Sequence, residues 1–556
     1  MRGRISAPAG AVRLISRVAV ATVLICFPAR YLFAVSCDVV KHNPPSDADK
    51  AFLAADYAKA ESLYKADLTA HPGNVAATEG LVHVLLREQK VVDADDAVKE
   101  ALEAASNPTA GSGAPASPAP AAVPKSGALL TLRGEVEFRQ GEPWLVEPTV
   151  LASYKLDPCN PRTRLLFARY SAITSRYATA RQQILLAHQF DPADPEIRLA
   201  WIGTLPLAQR ISEMEAYLSV PTGDDPETLR RLHTDLERWK KNTGEPPRSC
   251  RLVSTNSTAE IPFINLLGYN RTTRAFGVQV SLNGNPTRLQ LGAGEGGLTT
   301  YRSIAERAKL KSLSQPESNG PGAKPSYTAY ADSIKVGNLE FKDCVVKVID
   351  APNPNDDGDG VIGMDVFSDF LVTIDYPLHK VQVGPLPQSP AQGTAHVATL
   401  KTQTAPVDDP EIPNAGPVDR YIAPEMKDYT QIYRVANGLI LPAALNSAQV
   451  KLFILDLGAA TTNISPGAAM DVTKVHEKDT GIGKILIADE ITYNFAHMSQ
   501  KVNGVVAAET STISNHLGMN ISGFIGANTF SLLVMHIDYR DGLVKFDYIP
   551  DRGYKF

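Results

Sequence analysis

Two stretches of the chain follow one pattern and differ at the letter that decides their chemistry. LQLGAGEGGLTT begins at Leu289 and FILDLGAATTNI at Phe453, and each runs from apolar residues through a Gly-rich turn to threonine. Where the apolar run closes, the first stretch has Gly292 and the second Asp456. A carboxylate presented on such a turn is a candidate general base, taking a proton from water. Amide hydrolysis then needs a second group to protonate the carbonyl oxygen. Other reaction classes have no such anchor. The 11 His form no His-Glu-x-x-His pair, and there is neither a Gly-x-Ser-x-Gly elbow nor a phosphate-cradling Gly-rich loop ending in Lys-Ser/Thr. NPNDDGDG (353–360) resembles a calcium loop, but its twelfth position is Met364, where such a loop needs Glu, so it reads as a turn. No metal or other cofactor is expected.

The elements around the two stretches also come in pairs. FGVQVSLNGNPTRLQL alternates apolar and polar residues about Asn283-Gly284, a two-residue hairpin turn because both positions tolerate positive φ. Further on, Val361-Ile362-Gly363 answers Phe524-Ile525-Gly526, and Ile374-Asp375-Tyr376 answers Ile537-Asp538-Tyr539. The spacing is 164 positions from Gly292 to Asp456 and 163 from Gly363 to Gly526 and from Asp375 to Asp538. A constant offset across separate landmarks argues for a duplicated β unit. Asp375 and Asp538 repeat at the same offset as Gly363 and Gly526.

This pattern resembles the retropepsin-like aspartic peptidases, in which a strand ends in Asp-Thr/Ser-Gly-Ala and a later apolar-apolar-Gly threads behind that loop. The resemblance covers roughly 258–388 and 428–556. Together with the helical text that precedes it, it looks like exported bacterial aspartyl protease family proteins. Carried onto this chain, it makes Asp456 the catalytic Asp, with Gly458, Ala459, Thr461 and Gly526 supporting its loop. Leu457 replaces the hydroxyl residue that would brace paired loops. In the first copy Gly292, Gly294 and Gly363 form the degenerate counterpart, with Ala293 and Glu295 at the Thr and Ala positions. Such enzymes hold water between two carboxylates that share a proton, because like charges a few ångströms apart cannot both ionise. Gly292 removes one of them. Glu295 lies three residues past the vacated position, where the chain turns away. A second copy of the chain would bring Asp456 against its twin across a two-fold axis.

The remaining text is helical or extended linker. Residues 45–105 repeat apolar and small residues at three- and four-residue steps, and Ala54, Tyr57, Ala60, Tyr64, Pro72 and Gly80 resemble the packing positions of a tetratricopeptide repeat. A second helical set occupies 128–245, broken at Asp157-Pro158 and Asp191-Pro192. Between the sets, the Pro/Ala-rich stretch 106–127 cannot bury enough apolar surface to offset its ordering entropy. Helix pairs of this kind stack into an α-solenoid. The fold expected is therefore multidomain: a tetratricopeptide-like α-solenoid, a first all-β retropepsin-like lobe over 256–388, a Pro-rich linker over 389–424 and a second lobe over 425–556. Text at 326–337 and 500–511 is a candidate for the flaps that would close over a peptide.

Residues 1–36 read as a signal peptide or anchor: Arg2, Arg4, Arg13 and Arg17 precede the apolar run Val18–Phe27, and Ala34-Val35-Ser36 resembles a cleavage site. The run is short of the about 20 residues that span a bilayer. Cys37 follows directly, so lipidation there is a further option. The expected location is exported: periplasmic, extracellular or membrane-anchored. Beyond the signal, Cys37, Cys159, Cys250 and Cys344 are widely spaced and indicate neither a zinc ribbon nor a disulfide framework. A net charge of -5 gives no basic face for nucleic acid. Two functions stand: an aspartic endopeptidase using Asp456, most plausibly in a homodimer, or an inactive pseudopeptidase that binds peptides. In either, the helical repeats offer a surface to a protein partner; a third reading makes them the functional surface and the β lobes a platform.

Overall fold

The computed structural model describes residues 37–106, 126–241, 250–268, 271–292, 294, 296–313, 325–350, 357–389, 419–446, 449–479 and 483–549. The segment read as a signal (1–36), nearly all of the insertion 106–127 and most of the Pro-rich stretch 389–424 lie outside these residues.

Eleven helices precede the first strand among the described residues: α1 (Asp47–Leu53), α2 (Tyr57–Ala70), α3 (Val75–Arg87), α4 (Val91–Ser106), α5 (Gly127–Gln140), α6 (Pro143–Leu156), α7 (Pro161–Ile173), α8 (Tyr177–Phe190), α9 (Pro195–Gly203), α10 (Leu207–Leu218) and α11 (Pro226–Lys241). Each packs on the next. The starts are written locally. In α7 and α9, Asn160 and Asp194 accept the N–H of Thr163 and Ile197, and the following proline lacks an N–H that would otherwise be unsatisfied. The start of α8 is closed from afar. The carboxylate of Asp419, at the exit of the Pro-rich stretch, accepts the N–H and hydroxyl of Thr179 at 2.9 and 2.7 Å. No helix among the described residues is long and apolar enough to cross a membrane.

From residue 251 the chain is mostly strand, in two sheets of 14 and 10 strands. Thr273–Leu282 and Asn285–Leu291 form the hairpin about Asn283-Gly284, whose φ angles are +47° and +85°. Gly438–Leu445 and Val450–Leu455 form its counterpart. In each copy a short later strand runs parallel to the hairpin's second strand: Gly360–Ile362 beside Leu289–Leu291, and Gly523–Ile525 beside Phe453–Leu455. The copies meet through the strands Phe370–Asp375 and Leu533–Asp538, which pair antiparallel with Thr373 opposite His536. Those two residues are the same position of the repeat, 163 apart. A pseudo-two-fold axis therefore passes between them, where Thr373 Oγ1 and His536 Nδ1 lie 2.9 Å apart.

One apolar core crosses this junction, taking in Leu291, Ile362, Ile374 and Tyr376 from the first copy and Leu455, Leu457, Ile525 and Ile537 from the second. Removing this area from water binds the copies at about 25 cal/mol per Å² of apolar surface. A separate cluster places α6 and α7 (Val146, Val150, Leu166, Ile173) against Ile440, Leu452, Ile454 and Ile521. The helices thus cover the outer face of the sheet whose strand Val450–Leu455 leads into Asp456. Contrary to the expectation from spacing, Cys250 and Cys344 form a disulfide. Pairing of Arg251-Leu252 with Phe341-Lys342 brings together two cysteines 94 residues apart, a proximity that spacing does not encode.

Candidate active site

Gly292 and Asp456 occupy equivalent places. Gly292 donates its N–H to the Ile362 carbonyl at 2.9 Å, and Asp456 donates to Ile525 at 3.0 Å. Each begins the loop that follows its strand, backed by the apolar-apolar-Gly strand. Asp456 is half-buried, and its Oδ1 accepts the N–H of Ala459 at 2.9 Å, which fixes the carboxylate across its own turn. Gly292 is buried and carries no side chain to do likewise.

The loops interlock across the pseudo-axis. Gly458 lies so close to the first copy that a Cβ on it would stand 2.2 Å from the Leu291 carbonyl oxygen, and its own carbonyl accepts the Phe276 N–H at 2.6 Å. Ala459 forms a bridge with Ala275, and Ala460 donates to the Arg274 carbonyl at 3.0 Å. Reciprocally, Gly294 sits over Gly438, and Gly296 against the Asn437 side chain. The absence of a hydroxyl at Leu457 is met from across the junction: the Tyr376 phenol donates to the Leu457 carbonyl at 3.2 Å. Burial, with the Asp456 charge adding to it, pushes this phenol well above its ordinary range, so it remains a donor.

Behind each loop the supports differ. Gly526 is pressed against the carbonyls of Thr461 and Ala459, and Ala527 donates to Ala459 at 2.8 Å. Thr461 is exposed and contributes through its carbonyl. The side chain that ties the loop is Thr462, a residue passed over in the Thr-Thr doublet: its Oγ1 accepts the Gly526 N–H at 3.0 Å and meets Asn528 and Thr529 at 2.8 and 2.6 Å. In the first copy Gly363 donates to the Gly297 carbonyl at 2.8 Å, and the carboxylate of Asp365 accepts the Gly297 N–H at 2.9 Å. Burial raises Asp365 above the ordinary carboxylate range, with that N–H and Arg434 opposing the rise.

The other candidates are placed as follows. Asp375 and Asp538 each accept the N–H three residues on, from Leu378 and Asp541, and so cap the turn after their strands. Asp357 and Asp359 use their carboxylates on the N–H groups of Leu267 and Arg288, while 353–356, Ala293 and Glu295 lie outside the described residues. No group of three His, Cys, Asp or Glu suited to a metal is found among the described residues. The flap text at 326–337 falls in a long strand paired with Leu339–Ile349. That at 500–511 enters Val505–Ala507, inside the second sheet between Asn463–Ile464 and Lys484–Ala488. In that copy Val475–Asp479 pairs antiparallel with Lys484–Ala488, and Glu477, Lys478, Asp479 and Lys484 are exposed. A second chain would meet an occupied junction: Leu533–Asp538 is paired on one edge by Phe370–Asp375 and on the other by Leu543–Tyr548.

Residues 278–366 match a protein-family model described as Aspartyl protease. The matched stretch is the copy with Gly292, so the likeness there lies in the scaffold of the loop. No curated protein matches the chain. Among solved structures, a retropepsin-like aspartic protease from Rickettsia conorii aligns at 17% identity over 23% of this chain and 90% of that one, with a TM-score of 0.17.

Proposed function

We propose that the two β segments are retropepsin-like lobes fused into one pseudo-dimer that binds extended peptides and leaves them uncut. The observation that carries this is the pairing of the Gly292 loop with the Asp456 loop inside one chain. Across the pseudo-axis from Asp456 stands a residue with no side chain. The Asp456 carboxylate can draw a proton from water, but Gly292 at the equivalent position has no acid with which to protonate the carbonyl oxygen as the bond breaks. The cleft between the lobes keeps the backbone framework of a peptide site, with the paired strands Val475–Asp479 and Lys484–Ala488 as the flap of the second lobe. The helices are read as tetratricopeptide-type pairs stacked into a solenoid, with part of that surface used to dock on the second lobe. Export from a bacterial cytoplasm, with 1–36 as signal or anchor, is supported by the Cys250–Cys344 disulfide, since such bonds persist in oxidising compartments.

A second reading, Asp456-dependent hydrolysis by a homodimer, is favoured by the intact turn in which Ala459 holds the Asp456 carboxylate. One experiment separates them: peptide-library cleavage from about pH 3 to pH 7 by the wild type, Asp456→Asn, Gly292→Asp and the double variant, with protein concentration varied. The expected result is no Asp456-dependent cleavage by the wild type, and acid-pH cleavage by Gly292→Asp that Asp456→Asn removes. Wild-type cleavage that vanishes in Asp456→Asn and rises more steeply than concentration would overturn the pseudopeptidase in favour of the homodimer.

A further inference from the structure

Away from the Asp456 loop, a cleft of about 930 Å³ opens between the helical region and the second β segment. One wall is built by α4, α5 and the start of α6, the other by residues 465–471 and 509–522. Junctions between such units are where ligand sites of several hundred Å³ concentrate. The charges around the cleft are mostly matched. Lys99 pairs with Asp95 at 2.6 Å, Arg133 with Glu137 at 2.8 Å and Lys451 with Asp471 at 3.3 Å.

Arg139 is the exception among the cleft cations. It is half-buried at the end of α5, its Nη2 donates to the neutral Gln89 Oε1 at 2.6 Å, and its buried Nε has no hydrogen-bond partner. No carboxylate among the described residues forms an ion pair with it; burial, and next Arg169, disfavour its charge, with Glu196 opposing them from farther off and Arg87 adding to them. A guanidinium left this way costs free energy that an incoming carboxylate would recover, because its planar fork matches the two oxygens. The cleft also holds two acids that form no ion pair among the described residues, the half-buried Glu142 and the exposed Glu509. Burial, and next Glu137, raise Glu142 above its ordinary range, with Lys451 and Lys99 opposing the rise without forming an ion pair. A cation with no paired carboxylate and acids with no paired cation in one cleft suit a ligand bearing both charges.

We propose that this cleft is a second ligand site that takes short peptides with free ends, the terminal carboxylate on Arg139 and the terminal ammonium toward Glu142 and Glu509. It is separate from the cleft between the lobes and does not depend on whether that cleft cuts, binds or does neither. The chemistry matches the products of a peptide-bond hydrolysis, since cleavage creates both charged ends.

The test titrates the full-length mature protein with mixed-sequence hexapeptide pools carrying a mid-chain fluorophore, free at both ends, C-terminally amidated or N-acetylated, read by fluorescence anisotropy. Saturable binding of the free pool is expected, weakened at least about tenfold by amidation and by Arg139→Gln, the loss of a charge-assisted hydrogen-bond pair. Because Arg139 also contacts Gln89, Gly467→Trp provides a second variant. A Cβ at Gly467 meets nothing within 4 Å, so an indole there fills the cleft without disturbing the fold, and it should remove binding with the thermal midpoint unchanged. Peptide held between the lobes would be indifferent to both substitutions. Absence of saturable binding, equal binding of free and amidated pools, or binding that survives Gly467→Trp would overturn the proposal.

Discussion

Gly292 and Asp456 stand at one position of a repeated unit, and the backbone treats them alike. Each donates its N–H to the second apolar residue of a Gly-terminated strand, at 2.9 and 3.0 Å. The side chains behind the loops have diverged further. The first loop is held by the buried Asp365 carboxylate on the Gly297 N–H, and the second by the neutral Thr462, Asn528 and Thr529. The loop's shape is therefore a property of strand pairing and is kept with or without a carboxylate at this position, whereas any chemistry there depends on that one side chain. The same division explains why an aspartyl protease family model can describe the copy that has Gly292 where the other has Asp456.

Four further experiments would break or sharpen the comparison. The largest effect is expected from the covalent difference between the copies: Cys250 and Cys344 both belong to the first. Replacing both by serine should cost about 4 kcal/mol in chemical unfolding, because the bond closes a long loop, and the loss should appear first in probes placed in 251–385. Next come the equivalent glycines. Gly458→Ala drives a methyl into the Leu291 carbonyl and should cost about 3 kcal/mol. Gly294→Ala meets Gly438 at an ordinary 3.6 Å and should stay within about 0.5 kcal/mol. Equal effects would mean that the loops do not interlock as described.

The pH dependence of stability offers a third test. Asp538 is 1% exposed, and burial, with Asp541 repelling it, raises it from an ordinary 3.8 to about 7. Between those values the unfolded chain has lost the proton that the folded chain keeps. Stability therefore falls as pH rises from about 4 to about 7 and levels off above, a loss on the order of a few kcal/mol that Asp538→Asn should flatten in thermal melts. A rise in stability over that window would contradict the assigned burial. The smallest effect is expected at the phenol that crosses between copies. Tyr376→Phe removes one neutral hydrogen bond, worth about 1 kcal/mol. Tyr539→Phe, whose hydroxyl reaches Asn437 in its own copy, should cost about the same. Their difference would appear in the Gly292→Asp background, where only Tyr376→Phe should lower the rate, by loosening the Asp456 turn.

Much of this could be read from the sequence, because it rests on local rules. The Asn283-Gly284 turn and the helix breaks at Asp157-Pro158 and Asp191-Pro192 are set by turn conformation and capping within a few residues, and the repeated offset, with Gly292 where the second copy has Asp456, is legible by comparing one stretch of text with another. Tertiary structure alone decided which distant residues meet. Thr373 falls opposite His536, Tyr376 reaches Leu457, Asp419 closes α8, Cys250 finds Cys344, and Thr462 rather than its neighbour turns inward. A contact spanning tens or hundreds of residues leaves no local period to read. The fusion of both copies around one axis, which sets Gly292 against Asp456, follows from burying one shared apolar core, a property of the assembled surfaces and of no single segment.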